Sequence, residues 1–315
     1  MNEKRFESSG SGPVVVAVDG TADGVRALKY GVQQALRTGR RLRLVHVPHE
    51  TMPMAPMVPL FAGEALHSIA RHVLADAEEQ ATDLGAEDVE AVVADGPRVP
   101  AILRHAGDAA VLVVGPRSSG LRRRLTGSTT TGVAHRATCP VVSVPAEWSP
   151  DVAGDGVVAA VDGSQHSATI IAAGLSAAHE RGCGLTVVHA WRPSGQYDAA
   201  IVERAMIDPW RVQVTRELTR LSSALRAEYP DVPVKLRVEY HSTVPALVES
   251  SRHAELLVLG RRGRGAPFGL PLGSVARAMI GVAHCPVEVV PLARHAEPEK
   301  ADHRAPAKAG AAPAV

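Results

Sequence analysis

The residues best able to do chemistry in this chain form one run: Gly260-Arg261-Arg262-Gly263-Arg264-Gly265-Ala266-Pro267-Phe268-Gly269-Leu270-Pro271-Leu272-Gly273-Ser274. The chemistry it suits is anion binding. Glycines at the end of a strand let backbone N–H groups approach an anion with no Cβ in the way. Gly273-Ser274 then opens a helical pattern, Val275 to Ile280. The first N–H groups of such a helix lack intrahelical partners, and its dipole favours negative charge. Ser274 is placed to cap that helix or to donate its hydroxyl to a phosphate oxygen, and Arg261, Arg262 and Arg264 add positive charge at the mouth. Taken alone, the run serves equally as a glycine-rich surface turn with Ser274 as its N-cap. It is not a Walker loop, because no Gly-Lys-Ser/Thr follows. It is not the dinucleotide fingerprint either, since Phe268 stands in the third glycine's place.

Something must hold such a loop in place, and the chain shows what by repeating itself. Val14-Val15-Val16-Ala17-Val18-Asp19-Gly20-Thr21 recurs as Val157-Val158-Ala159-Ala160-Val161-Asp162-Gly163-Ser164, and His46 recurs as His189, both 143 residues later. Gly127-Ser128 recurs as Gly273-Ser274, and Cys139-Pro140-Val141-Val142 as Cys285-Pro286-Val287-Glu288, at 146. So small a drift over so long a period means duplicated globular domains, since a solenoid would repeat at roughly 20–50 residues. The boundaries read as domain 1 over 13–147, a linker over 148–155 and domain 2 over 156–293. Residues 1–12 and the Ala/Pro/Lys-rich stretch 294–315 are expected to be disordered.

Within each repeat, short apolar runs alternate with longer helical patterns. Domain 2 predicts strands near 156–161, 184–190, 233–239, 256–259 and 286–290, and helices near 166–181, 200–228, 243–252 and 274–282. Val111-Leu112-Val113-Val114 is apolar at every position, as a strand buried on both faces must be. Alternating strand and helix of this kind predicts a parallel, doubly wound sheet. Ligands there sit beyond the carboxyl ends of the strands, where strand order reverses.

The spacing Gly260, two residues, Gly263, nine residues, Gly273-Ser274 resembles the phosphate loop of ATP-binding universal stress proteins. So do Val161-Asp162-Gly163-Ser164, the strand ending Val188-His189-Ala190-Trp191, and Cys285-Pro286-Val287. The likeness covers 13–146 and 156–292 and implies two five-stranded, Rossmann-like domains in tandem that bind adenine nucleotide, chiefly ATP. It puts Asp162, Gly163 and Ser164 by the ribose and by any magnesium, with no metal site made of protein ligands alone. Ala190 and Leu259 would face adenine. Gly260, Arg261, Arg262 and Gly263 would line ribose and phosphates, with Gly273, Ser274 and Val275 at the terminal phosphates. A turn-forming role is the alternative for Asp162. In domain 1 the matching residues are Asp19, Gly20, Thr21, Gly115, Arg117, Gly127, Ser128 and Thr129. There the pattern is damaged. Ser118 replaces the second glycine, one residue is missing before Gly127, and Pro116 removes a backbone donor.

The remaining features mostly exclude. Thirty-four basic residues against 33 acidic ones leave no field to draw nucleic acid or a membrane surface. No apolar run is long enough to span a bilayer and no signal peptide is evident, so a cytoplasmic protein is expected. Three cysteines without metal spacing read as small buried hydrophobes. His46 and His189 end equivalent strands, which favours a structural role over ligation. The segment Pro48 to Gly63 reads as an irregular loop, with a flap over domain 1 as the alternative, and Arg122-Arg123-Arg124 as a solvated loop. No general base accompanies the phosphate loop, so a regulatory protein with little or no turnover is expected, weak ATPase activity being left open. The alternative is a structural or protein-interaction module of the same family that binds no nucleotide. Expected partners are the nucleotide, a regulatory protein of unknown identity, and the second domain through an edge-strand pseudo-dimer, with homodimerisation left open.

Overall fold

The computed structural model describes residues 11–48, 62–115, 128–152, 154–192, 207–262 and 272–292. Domain 1 runs β1 (Val14–Ala17), α1 (Ala22–Thr38), β2 (Leu42–His46), α2 (Ala62–Asp83), β3 (Val89–Val93), α3 (Arg98–His105), β4 (Val111–Val114), α4 (Ser128–Arg136) and β5 (Val141–Ser143). Domain 2 repeats it as β6 (Val157–Ala160), α5 (Ser167–Arg181), β7 (Leu185–Ala190), α6 (Ile207–Leu225), β8 (Val234–Glu239), α7 (Thr243–Ser251), β9 (Leu256–Gly260), α8 (Ser274–Val282) and β10 (Val287–Val290). The strands fall within a residue or two of their expected limits. Two of the helices are stopped by recognisable chemistry: α1 and α5 both end on a left-handed glycine, Gly39 and Gly182, each at φ 62°.

Both repeats are α/β domains with a parallel five-stranded sheet, and the two sheets join. The strand order is β3-β2-β1-β4-β5-β10-β9-β6-β7-β8, parallel within each half and antiparallel only where β5 meets β10. The last strands therefore pair, covering two apolar edges that would otherwise invite aggregation. Val14, Val16, Leu28, Ile171, Leu175 and Leu185 belong to one apolar layer, and Val15, Leu112, Val133, Leu257, Met279 and Val287 to the other. Helices thus cover both faces, which explains why the central strands lack polar alternation. Gly31 and its repeat partner Gly174 let α1 and α5 lie close on the sheet. A Cβ at Gly174 would stand 2.9 Å from Leu185 Cδ1 and 3.1 Å from Ala159 Cβ, and one at Gly31 would collide with Val16.

The seam between domains also has a polar part. Arg181 of α5 donates to the Tyr30 hydroxyl at 2.8 Å and to Gln34 Oε1 at 3.1 Å, both on α1, and Gln34 Nε2 donates to Glu180 at 2.8 Å. Trp148, in the connecting segment, packs edge-on to Tyr30 at 5.5 Å between ring centroids. Cys139 and Cys285 are buried and Cys183 is part-exposed; burial pushes the first two thiols up to about 11 and about 12. No helix among the described residues is long and apolar enough to cross a membrane.

Candidate functional site

In domain 2, β6 ends at Ala160 and the chain turns sharply through Asp162, Gly163 and Ser164 before α5. Asp162 Oδ1 accepts from the Ser164 N–H at 3.0 Å, and Gly163 sits at φ 70°, a left-handed conformation that an L side chain resists. The turn-forming role is thus real. It also leaves Asp162 part-exposed at the carboxyl end of the strand, where a ligand would reach it. His189 Nδ1 donates to the Val161 carbonyl at 3.0 Å, just as His46 Nδ1 donates to Val18 at 2.8 Å. Both histidines therefore pin the first turn of their domain to the second strand, the structural role expected of them.

The glycine-rich loop leaves β9 beside that turn. The Arg261 N–H donates to the Val290 carbonyl at 3.0 Å, and the Gly273 N–H donates to the Arg261 carbonyl at 2.9 Å, so the loop's two ends are tied together. A Cβ at Gly260 would press on Leu292 Cδ1 at 3.0 Å and Ile170 Cδ1 at 3.1 Å, so these side chains would have to give by a few tenths of an ångström. Gly273 is the N-cap of α8 and carries no side-chain cap, while Ser274 is the helix's exposed first residue and Val275 is half-buried behind it. Leu259 is buried at the strand end. The Ala190 carbonyl accepts the Thr243 hydroxyl at 3.0 Å. Gly263 and residues up to Pro271 lie outside the described residues.

Arg261 was expected at the phosphates, but its side chain points elsewhere. Its guanidinium donates to the carbonyls of His135 and Ala137 at 2.8 and 2.7 Å, at the C-terminal end of α4 in domain 1. The helix dipole and two charge-assisted bonds act together there. Arg261→Ala should cost about 2 kcal/mol of stability. Equilibrium unfolding in urea measures it, and an unchanged midpoint would show that this contact holds nothing. The buried Arg262 Nε has no hydrogen-bond partner among the described residues. The buried Ser167 Oγ, at the start of α5, and the Tyr240 hydroxyl are likewise without partners among them.

An aromatic group that sequence reading missed stands over the same strand ends. Trp210 of α6 lies 5.7 Å from His189 and 5.3 Å from Trp191, and Tyr240 lies 6.1 Å from Trp191, between centroids. These residues come from three separate segments, so no local pattern announces them.

Domain 1 holds a cavity of about 300 Å³ in the equivalent place, beyond the ends of β1 and β4. Asp19, Gly115 and Thr129 line it, as the repeat predicts, together with Arg98, Leu66 and Ile69, which the motif did not single out. Asp19 Oδ1 accepts from the Thr21 N–H at 3.0 Å and its hydroxyl at 2.6 Å, Thr21 caps α1, and Gly20 is left-handed at φ 73°. Arg98 opens α3, so it brings a cation to a helix N-terminus at the cavity wall. Arg117, Gly127, Pro116 and Ser118 fall outside the described residues, as do Arg122-Arg123-Arg124 and 49–61 of the methionine-rich segment; of Ser128 only its place at the start of α4 is described. No cluster of metal-ligating side chains occurs among the described residues.

Residues 11–145 and 155–291 each match the profile of the universal stress protein family. Universal stress protein Rv2005c of Mycobacterium tuberculosis is 31% identical over 287 residues, spanning 88% of this chain and 96% of that one. A Mycolicibacterium smegmatis universal stress protein is 31% identical over 291 residues, at the same coverage. Among solved structures, a universal stress protein from Archaeoglobus fulgidus superposes with a TM-score of 0.68 at 18% identity, covering 90% of this chain and 97% of that one.

Proposed function

The chain belongs to the universal stress protein family, and from that premise we propose that it is an ATP-binding regulatory protein, with nucleotide held at least in domain 2 and little or no turnover. The observation that carries the reading is the loop Gly260/Gly263/Gly273-Ser274, tied shut by the Gly273–Arg261 hydrogen bond and opening directly into α8. The residues present suit a phosphate. The α8 N-terminus carries no side-chain cap, and the Arg262 Nε is a buried donor awaiting an acceptor. Asp162, part-exposed at the carboxyl end of the first strand, would be the group to meet a nucleotide-borne magnesium. When bound, the nucleotide would supply negative charge that draws these donors together. What this chain's residues do is bind and orient it, and the run from Gly260 to Ser274 contains no carboxylate or imidazole to activate water.

Domain 1 should bind ten- to a hundredfold more weakly, because a shortened loop with Pro116 loses a donor and shifts the others, about 1–3 kcal/mol. The test is calorimetric titration of the full chain with ATP and magnesium, read alongside tryptophan emission. Two of the three tryptophans, Trp191 and Trp210, stand over the domain 2 site, so the tight phase should change fluorescence. Arg262→Ala should weaken that phase about tenfold, the worth of one charge-assisted bond. No heat up to about millimolar ATP, in a folded chain, would leave the other reading standing: an interaction module whose loops have lost their ligand, which the domain 1 damage favours.

A further inference from the structure

A second cavity, larger than the one in domain 1, belongs to neither candidate nucleotide site. It has a volume of about 740 Å³ and lies between the domains, walled by α1 and the amino ends of β1 and β4 on one side and by α5 and the end of β10 on the other. It shares no lining residue with the domain 1 pocket or with the candidate residues of domain 2. A space of this size suits a small organic molecule. Its walls are mixed: Val14, Val142, Val290 and Ala173 give apolar surface, while Tyr30, Gln34, Glu180, Arg181 and Glu288 give polar groups.

Most of those polar groups are already committed. Arg181 donates to Tyr30, Gln34 and the Ala177 carbonyl, and Glu180 accepts from Gln34 and from Ser176. Across the cavity, Asp108 is held by Arg43 at 2.7 Å and Arg40 donates to the Gly12 carbonyl at 3.2 Å. Glu288 is the exception. Its carboxylate, on the central strand β10, lies deep in the seam and opens onto the cavity, and no hydrogen bond or close ion pair reaches it among the described residues. Arg181 and Glu180 act on it through space from α5, Tyr30 from α1, with Arg37 of α1 acting on Tyr30 and Glu255 ahead of β9 acting on Arg181. A half-buried anion with spare acceptor capacity, facing a cavity with apolar and polar walls, is complementary to a donor-bearing cation with an apolar body.

We infer that this cavity is a second binding site, for a small molecule that couples an ammonium or amidinium group to an apolar body, with the Glu288 carboxylate taking the cation. The site needs Glu288 ionised. Burial pushes its carboxyl up to about 7, so binding such a cation should release a proton near neutrality.

The probe is 2-phenylethylamine, charged throughout the working range, titrated calorimetrically into the full chain, with neutral 2-phenylethanol as its control. The expected result is one saturable site with a Kd near or below about 1 mM at pH 8. Affinity at pH 6 should be about tenfold weaker, following ionisation of a carboxyl at about 7. The alcohol should bind at least tenfold more weakly than the amine at pH 8. Glu288→Gln should abolish both the amine preference and the pH dependence. Absence of saturable binding at pH 8, equal affinity for the alcohol, or undiminished binding by Glu288→Gln would each overturn the assignment. The pH comparison on the unsubstituted chain stands even if the variant fails to fold.

Discussion

Glu288→Gln should stabilise the chain by about 3 kcal/mol at pH 8 and by only about 1 kcal/mol at pH 5. Burial, the larger influence, raises the Glu288 carboxyl from 4.5 to about 7, and Arg181 only partly offsets it. Between those values the folded chain keeps a proton that the unfolded chain has lost. The group's contribution is therefore fully present below 4.5 and is lost as pH rises through about 7. A shift of that size is worth about 3 kcal/mol, at 1.36 kcal/mol per unit. Glutamine never ionises and escapes the loss. Unfolding of both chains at the two pH values measures it, and parallel curves would refute it. The same residue is thus a burden on the fold and the centre of the proposed amine site, a trade-off common at functional positions.

Val289→Asp should cost at least about 4 kcal/mol, the second large effect. Val289 and Val141 are Cα partners across the β5–β10 pair, and each is 1% exposed. Val289 faces the opposite apolar layer from the Glu288 cavity, among residues such as Leu257, Leu259 and Val287. A carboxylate there would sit among apolar side chains, at a position 1% exposed, so most of its desolvation would go uncompensated. Because the pair is the only strand contact between the two halves among the described residues, the expected outcome is poor soluble yield and an early urea transition. A midpoint like that of the unsubstituted chain would remove the seam from the energetics of the fold.

Much of this architecture was legible in the residues. Val111-Leu112-Val113-Val114 could only be a doubly covered strand, and the repeat let each half check the other. The loop from Gly260 to Ser274 was legible too, because close backbone approach leaves a local glycine signature. What escaped were long-range meetings. Arg261 looks like a phosphate ligand because it sits among glycines, yet its side chain ends on a helix 124–126 residues earlier in the chain. Trp191, Trp210 and Tyr240 assemble only after three segments fold. Glu288 stood in the sequence only as the repeat counterpart of Val142; the domain packing is what brings that position into the seam.

The register at the seam carries a consequence for symmetry. Val287 lies opposite Ser143, Glu288 opposite Val142, and Val289 opposite Val141. Since 141 and 287, 142 and 288, and 143 and 289 are the same positions of the two repeats, the pseudo-twofold axis passes through the Glu288–Val142 pair. In a dimer of identical copies this position would face itself, and the choice would be two valines or two glutamates. Directly opposed glutamates repel across so short a strand spacing. Joining the copies in one chain also makes their association independent of concentration. Once that is secured, the residues on the axis are free to differ. A covalently joined pair can hold one carboxylate on its own twofold axis; two separate identical copies cannot.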